Sequence, residues 1–208
     1  AGLLKGRGLI RERPFRTPHN TSSVVAMVGG GPSACPGEIS LAHNGVLYLD
    51  EISLFSASAL DLLRQPLEER VISISRARYK VTYPASFMLV GSMNPCPCGY
   101  YNHPTKACTC SPGQVQRYLN RISGPLLDRI DIQCEIVPVP FEKISDTAPG
   151  EPSAAIRERV IAARKIQEER FKNEESIYCN AQMTPKLIAK YAVLDETSLA
   201  MLKTAMTR

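Results

Sequence analysis

Four apolar residues, Val46-Leu47-Tyr48-Leu49, run directly into Asp50-Glu51. A continuous apolar run of this length reads as a strand buried on both faces of a parallel sheet. Closing it with two acids constrains the chain further. In open parallel sheets, chemistry collects at the carboxyl ends of the strands. There one carboxylate can hold a magnesium ion, directly or through water, and the next can polarise an attacking water. Apolar strands ending in two acids are common, so the pattern gains weight only from its company.

That company comes further along. Phe87–Gly91 reads as a second buried strand, ended by Asn94-Pro95. Asn94 either orients water against a γ-phosphate or simply makes an Asn-Pro turn. Ile132–Val137 reads as a third strand, stopped by Pro138-Val139-Pro140. Ser123–Asp131 sets Arg129 at the end of a short helix just before that strand. From there Arg129 either reaches a neighbouring subunit's phosphate or pairs with Asp128 or Asp131 on the surface.

Ser56 is expected to cap a helix with Leu60, Leu63 and Leu67 on one face. Val71–Ser75 and Tyr79–Tyr83 flank Arg76-Ala77-Arg78 as a hairpin with a basic tip. On their own, its Arg76, Arg78 and Lys80 read as a solvated tip that guards the strand edge. Gln114–Ile122 and Leu126–Arg129 read as helical, the first nineteen or so residues as basic and irregular, and Gly29-Gly30-Gly31-Pro32 as a loop. Ser145–Pro152 has the composition of a linker. Beyond it, Ser153 is expected to cap a helix reaching about Phe171, Thr184-Pro185 to start another, and Asp195–Met206 to form a third. The expected division is a sheet-bearing core over 1–144, a linker over 145–152 and a partial helical domain over 153–208.

Hydrophobic residues make up 44% and charged residues 22% of the 208, ordinary for a chain that buries a core. The longest apolar runs are far too short to span a bilayer, and there is no charged-then-apolar leader, so a cytoplasmic location is expected. The net charge of +5 is compatible with a polyanionic partner. Of seven cysteines, Cys96, Cys98, Cys108 and Cys110 form two close pairs, which argues for a reduced compartment and a metal over a disulfide framework. Four thiolates suit a tetrahedral Zn²⁺ and leave no open position for catalysis. His103 lies within the loop as an alternative ligand, and free thiols are the plainer reading. Cys35, Cys134 and Cys179 read as isolated thiols.

Pro18-His19-Asn20, Pro36–Glu51, Asn94-Pro95-Cys96-Pro97-Cys98-Gly99 and Ser123–Asp131 together resemble the ComM (YifB) family of magnesium-chelatase-like AAA+ proteins. The resemblance covers the whole chain. It implies an α/β, P-loop-type parallel-sheet core followed by a partial α-helical lid. It also implies that Asp50 and Glu51 are the Walker B pair on Mg²⁺ and ATP, that Asn94 is sensor 1, and that Arg129 is an arginine finger acting in trans, with Arg121 the alternative. Arg76, Arg78 and Lys80, and the insert holding His19, would face a central pore. The parent protein would be a hexameric ATP-driven DNA helicase promoting branch migration during natural transformation.

The phosphate-loop pattern of Gly, four residues and Gly-Lys-Ser/Thr occurs nowhere here, and Gly29–Gly31 lacks the Lys-Ser or Lys-Thr. The resemblance puts that loop upstream of Ala1 and the sensor-2 arginine beyond Arg208. The chain alone is therefore expected to bind ATP poorly or not at all. Two other functions remain open at this stage. One is a chelatase subunit I-like or MoxR-like motor remodelling a protein partner. The other is a zinc-stabilised interaction domain without catalysis.

Overall fold

The computed structural model describes residues 11–76, 79–139 and 150–207. They fall into two compact units, Ala1–Pro138 and Val139–Arg208. In the first unit the strands are β1 (Phe15–Arg16), β2 (Gly29–Gly30), β3 (Cys35–Pro36), β4 (Val46–Leu49), β5 (Val71–Arg76), β6 (Tyr79–Pro84) and β7 (Met88–Gly91). The helices are α1 (Val24–Val28), α2 (Glu38–Leu41), α3 (Ala57–Asp61), α4 (Arg64–Glu69), α5 (Pro112–Leu119) and α6 (Gly124–Leu127). The fold is mixed α/β.

A three-stranded parallel sheet in the order β1-β4-β7 forms its centre. Val46 to Leu49 pair in register with Met88 to Gly91, while Phe15 and Arg16 pair with Val46 and Leu47. β1 lies in the stretch expected to be irregular, because two residues are too short to show a period. Its approach to β4 is close: a side chain on Gly45 would meet the Pro14 carbonyl oxygen at 1.9 Å, so only glycine fits where the two strands begin to pair.

The burial of β4 alternates. Leu47 and Leu49 are fully buried, and Val46 and Tyr48 are half-covered. β7 is an edge strand of the described sheet with Met88 and Val90 exposed. The expectation that both are sandwiched on two faces is therefore corrected: one face carries the core.

Leu47 and Leu49 join Met27, Ile39, Leu60, Leu63 and Leu126 in one apolar cluster. Each such side chain contributes about 1.5–3 kcal/mol on leaving water. The Ser56 hydroxyl accepts the Ala59 N–H at 3.2 Å as expected for a cap. The helix it starts is broken into α3 and α4, which still deliver Leu60 and Leu63 to the core. Arg16 clamps β1 to α2 by donating from Nε and Nη2 to both Glu38 carboxylate oxygens, at 2.7 and 2.6 Å. Such bidentate pairing fixes geometry as well as energy.

The hairpin expected over 71–83 forms. β5 and β6 pair antiparallel from Val71↔Pro84 to Arg76↔Tyr79, and Ser73 and Thr82 share a cross-strand hydrogen bond of 3.0 Å. The glycine stretch is not wholly loop, since Gly29 and Gly30 pair with Pro36 and Cys35.

The third expected strand, Ile132–Val137, is a correction. The segment has no regular secondary structure, with Ile136 89% exposed. A strand exists only where a neighbour takes its backbone hydrogen bonds, and none of the described strands lies beside this one.

In the second unit, α7 (Ser153–Phe171), α8 (Pro185–Tyr191) and α9 (Glu196–Met206) follow one another. Pro152, not Ser153, takes the cap position of α7, without a side-chain hydrogen bond. Asp195 caps α9 by accepting the Ser198 N–H at 2.7 Å. Phe171 is buried edge-on against Tyr191, with ring centroids 5.9 Å apart, and the Arg170 guanidinium lies over both rings. Of the linker expected over 145–152, residues 145–149 lie outside the described residues. Among the described residues, no helix is long and apolar enough to cross a membrane.

Candidate active site

The parallel register sets the ends of β4 and β7 side by side. Leu49 pairs with Gly91, so the next residues, Asp50 and Ser92, emerge together. The Ser92 hydroxyl donates to Asp50 Oδ1 at 2.5 Å and accepts the Glu51 N–H at 3.2 Å. Its backbone is equally committed: Ser92 N–H donates to the Leu49 carbonyl at 3.1 Å, and Ile52 N–H donates to the Ser92 carbonyl at 2.9 Å. Tyr48 adds a second hydroxyl to Asp50 Oδ1 at 3.3 Å, and its ring stacks on Phe15 of β1.

The Ser92 hydroxyl, against an opposing effect of burial and with help from the Tyr48 hydroxyl and the Glu51 amide, holds the Asp50 carboxyl below its ordinary range. Hydrogen bonds given to the charged form favour ionisation. Asp50 is thus a fixed, exposed carboxylate.

Glu51 adopts the left-handed conformation, φ 49° and ψ 52°, which for a residue with a Cβ costs of order 1–3 kcal/mol. The turn drives the chain off the end of β4 into a short 3₁₀ turn over Ile52–Leu54. That turn is anchored from α5. Buried Ser53 donates its hydroxyl to the Tyr118 hydroxyl at 2.8 Å, and Arg121 donates from Nη1 to the Ser53 carbonyl at 3.1 Å.

Asn94 is exposed two residues beyond Ser92, in the coil that follows β7. Arg129 pairs with Glu68 of α4 and also donates to the Pro125 carbonyl. Its carboxylate partner is thus neither Asp128 nor Asp131. At the hairpin, Lys80 is exposed. Arg78 and the side chain of Arg76 lie outside the described residues. His19, the residue singled out near the N-terminal insert, accepts the Thr21 N–H on Nδ1 at 3.3 Å.

Residue reasoning passed over Ser92 and Tyr48. A lone Ser before Met-Asn carries no signal by itself, but aligning Leu49 with Gly91 would have put Ser92 beside Asp50.

The four paired cysteines converge. Cys96, Cys98, Cys108 and Cys110 have their sulfurs within 4.8 Å of one another, with three of the separations at 3.3, 3.5 and 3.7 Å. A tetrahedral zinc with Zn–S bonds of about 2.3 Å holds its sulfurs about 3.8 Å apart, so the cluster has the size for a metal ion. The Tyr100 and Thr109 amides pull the Cys98 thiol down to about 5. Cys108 is pushed up to about 12: the Cys110 amide lowers it, but burial and the neighbouring sulfurs Cys98 and Cys96 outweigh that. Cys98 ionises readily while Cys108 and Cys110 resist, a resistance that a dication at the centre would reverse. His103, the alternative ligand, is not among the ligand atoms that converge. Its Nδ1 accepts the Thr105 and Lys106 amides at 3.2 and 3.1 Å.

A parallel sheet whose adjoining strand ends carry Asp50-Glu51 and Asn94, followed by a cysteine-bearing loop, defines a chain of magnesium-chelatase type. Residues 1–144 match the family described as magnesium chelatase, subunit ChlI, and residues 150–208 match that subunit's C-terminal family. The chain belongs to this magnesium-chelatase family and within it to the ComM/YifB-like proteins.

Its relatives include the YifB protein of Escherichia coli K12, 49% identical over 186 residues, covering 89% of this chain and 35% of that protein. Competence protein ComM of Haemophilus influenzae is 45% identical over 199 residues, covering 95% of this chain and 38% of that protein. The magnesium-chelatase 67 kDa subunit of Chlorobaculum parvum is 32% identical over 110 residues, 53% of this chain and 13% of that protein. The chain thus spans about a third of the length of the YifB and ComM relatives it matches.

Proposed function

We propose that this chain carries the hydrolytic half of the nucleotide site of a ring-forming AAA+ ATPase that acts on DNA. Asp50 holds the Mg²⁺ of bound ATP, Glu51 polarises the attacking water, and Asn94 orients that water against the γ-phosphate. Arg129 leaves Glu68 on ring assembly and reaches the nucleotide of a neighbouring subunit, with Arg121 as the alternative finger. The sequence carries no phosphate-binding loop of the Gly-x4-Gly-Lys-Ser/Thr type, so the chain alone turns over no ATP. Without backbone amides and a lysine around the phosphates, the two acids have no anchored substrate. The observation that carries the reading is the Ser92–Asp50 hydrogen bond of 2.5 Å, which holds the metal-binding carboxylate ionised at the end of a central parallel strand.

The DNA-directed part rests on the similarity to competence protein ComM and on the basic hairpin. Arg76, Arg78 and Lys80 contact phosphates without reading sequence. The whole protein is then a cytoplasmic, hexameric helicase that promotes branch migration during transformation. The cysteine cluster holds a structural Zn²⁺ that staples the loop after Asn94; four thiolates leave no site for water.

A second reading, a chelatase-type motor that remodels a protein partner, draws on the similarity to the Chlorobaculum magnesium-chelatase subunit. Binding of the full-length protein to forked DNA at several salt concentrations separates the two. The DNA reading expects affinity that falls steeply with salt, and weaker binding with a shallower slope after Arg76→Ala and Arg78→Ala together. Binding that ignores both salt and substitution favours the protein-partner reading.

A further inference from the structure

Between Glu69 and Asp128 the chain has no acidic residue at all. That stretch carries Arg70, Arg76, Arg78, Lys80, Lys106, Arg117 and Arg121, a formal +7 against +5 for the whole chain. The remainder is therefore slightly acidic, −2 by difference. The hairpin accounts for three of these cations. Others lie on or beside the cysteine loop, which the zinc assignment treats only as a staple.

That loop presents aromatic rings outward. Tyr100 is 37% and Tyr101 42% exposed, although a ring of this size gains most from being buried. They are held in place from beneath. The Tyr101 N–H donates to the fully buried Cys96 sulfur at 3.3 Å. Left-handed turns at Gly99 (φ 80°) and Asn102 (φ 58°) bracket the pair. His103 meets the Tyr100 ring edge-on at 5.6 Å, and the Lys106 ammonium sits 5.0 Å from its centre. Beside Tyr101 opens a cavity of about 310 Å³, whose other walls include Cys108, Pro112, Val115 and Leu119. This is the lower end of the range for small planar ligands, about 300–1,000 Å³.

Exposed aromatics braced by tight turns, a cation over one of them, an adjoining cavity of mixed polar and apolar lining with room for a base, and a surrounding sequence free of acids meet the needs of unpaired nucleic acid. Bases stack on aromatic faces while Lys and Arg track the phosphates. An acidic peptide would use the charge but not the stacking geometry.

The geometry points to the cysteine loop as a second nucleic-acid site, on which single-stranded DNA stacks one base against Tyr101 in the cavity and runs its backbone past Lys106. It rests on the proposal that this protein acts on DNA, and it assigns that DNA a contact separate from the β5–β6 hairpin. Stacking is indifferent to base identity, so the site reads strandedness and not sequence.

The test is fluorescence anisotropy of a labelled single-stranded oligothymidylate titrated with the chain. Tyr101→Ala is expected to weaken binding about tenfold by the same factor at every salt concentration, while Tyr101→Phe keeps the wild-type affinity. Lys106→Ala is expected to reduce the salt slope by about 0.7, one single-strand phosphate contact. Because the chain has no tryptophan, Tyr101→Trp supplies a second readout that does not depend on the alanine variant folding: its indole emission is quenched when the oligonucleotide binds. Wild-type binding that Tyr101→Ala leaves unchanged, with an unquenched indole in Tyr101→Trp, overturns the site while leaving the DNA reading intact. No binding by the wild-type chain at low salt overturns both.

Discussion

The hydroxyl of Ser92 donates to Asp50 Oδ1 at 2.5 Å and at the same time accepts the N–H of Glu51 at 3.2 Å. One side chain just beyond β7 thereby sets both the ionisation of the first acid and the backbone turn that aims the second.

Removing that hydroxyl separates the two effects. In Ser92→Ala the Asp50 carboxyl loses the largest contribution to its lowered pKa and is expected to titrate nearer its ordinary value of about 3.9. A depressed carboxyl contributes stability that is present above the unfolded value and lost as pH falls through the folded one. The variant is therefore expected to show a weaker dependence of stability on pH below about pH 4. Carboxyl-selective NMR titration and acid unfolding check this, and in the full-length protein the variant is expected to need more Mg²⁺ for half-maximal ATP turnover. An unshifted Asp50 resonance would contradict the assignment.

The cysteine cluster is expected to bind about one equivalent of zinc with tetrahedral sulfur coordination, measured by metal analysis and X-ray absorption of purified protein. Cys96→Ser, which removes the fully buried ligand, is expected to abolish stoichiometric zinc and lower the melting temperature. Protein that carries no metal, with thiols equally reactive before and after chelation, contradicts it.

His43 supplies a pH dependence away from the site. Its Nδ1 accepts the Ser86 N–H at 3.1 Å, and burial lowers its pKa from the ordinary 6.5. The folded chain therefore takes up this proton later than the unfolded chain as pH falls. The contribution to stability is full above about pH 6.5 and shrinks as pH drops through the lowered value. His43→Gln is expected to flatten the stability profile just below pH 6.5, measured by urea unfolding at a series of pH values. An unchanged profile would assign that pH dependence elsewhere.

How much of this was legible beforehand follows from the physics of each element. β4, the β5–β6 hairpin, the Ser56 cap and the cysteine pairs announce themselves through local pattern: an apolar run, strand-forming residues around a basic tip, a side-chain acceptor, close thiols. β1 did not, because Phe15-Arg16 is a strand only by virtue of Val46 and Leu47 beside it. Ile132–Val137 failed in the opposite sense: the residues favour a strand, but propensity counts only where a partner exists. At the site, Asp50 and Glu51 stand out as chemistry at a strand end. Ser92 and Tyr48 act through register and stacking, which are tertiary facts. The Arg129–Glu68 pair is equally invisible, since it joins the turn after α6 to α4, sixty-one residues apart in sequence.

Arg129 provides a test of assembly. In the full-length protein Arg129→Ala is expected to lower ATP turnover on the order of 10³-fold. Mixing Arg129→Ala subunits with Glu51→Gln subunits is expected to restore part of the activity, because an interface in which the Arg129→Ala subunit supplies Glu51 and the Glu51→Gln neighbour supplies Arg129 is complete. Turnover that survives Arg129→Ala would move the role to Arg121.

The most direct test is ATP hydrolysis by the full-length protein with Glu51→Gln, followed alongside nucleotide binding. If Glu51 polarises the attacking water beside the Mg²⁺ held by Asp50, turnover falls by roughly 10²–10⁴-fold while Mg·ATP still binds. Turnover that persists at the wild-type rate would show that the two acids at the end of β4 are not the hydrolytic pair.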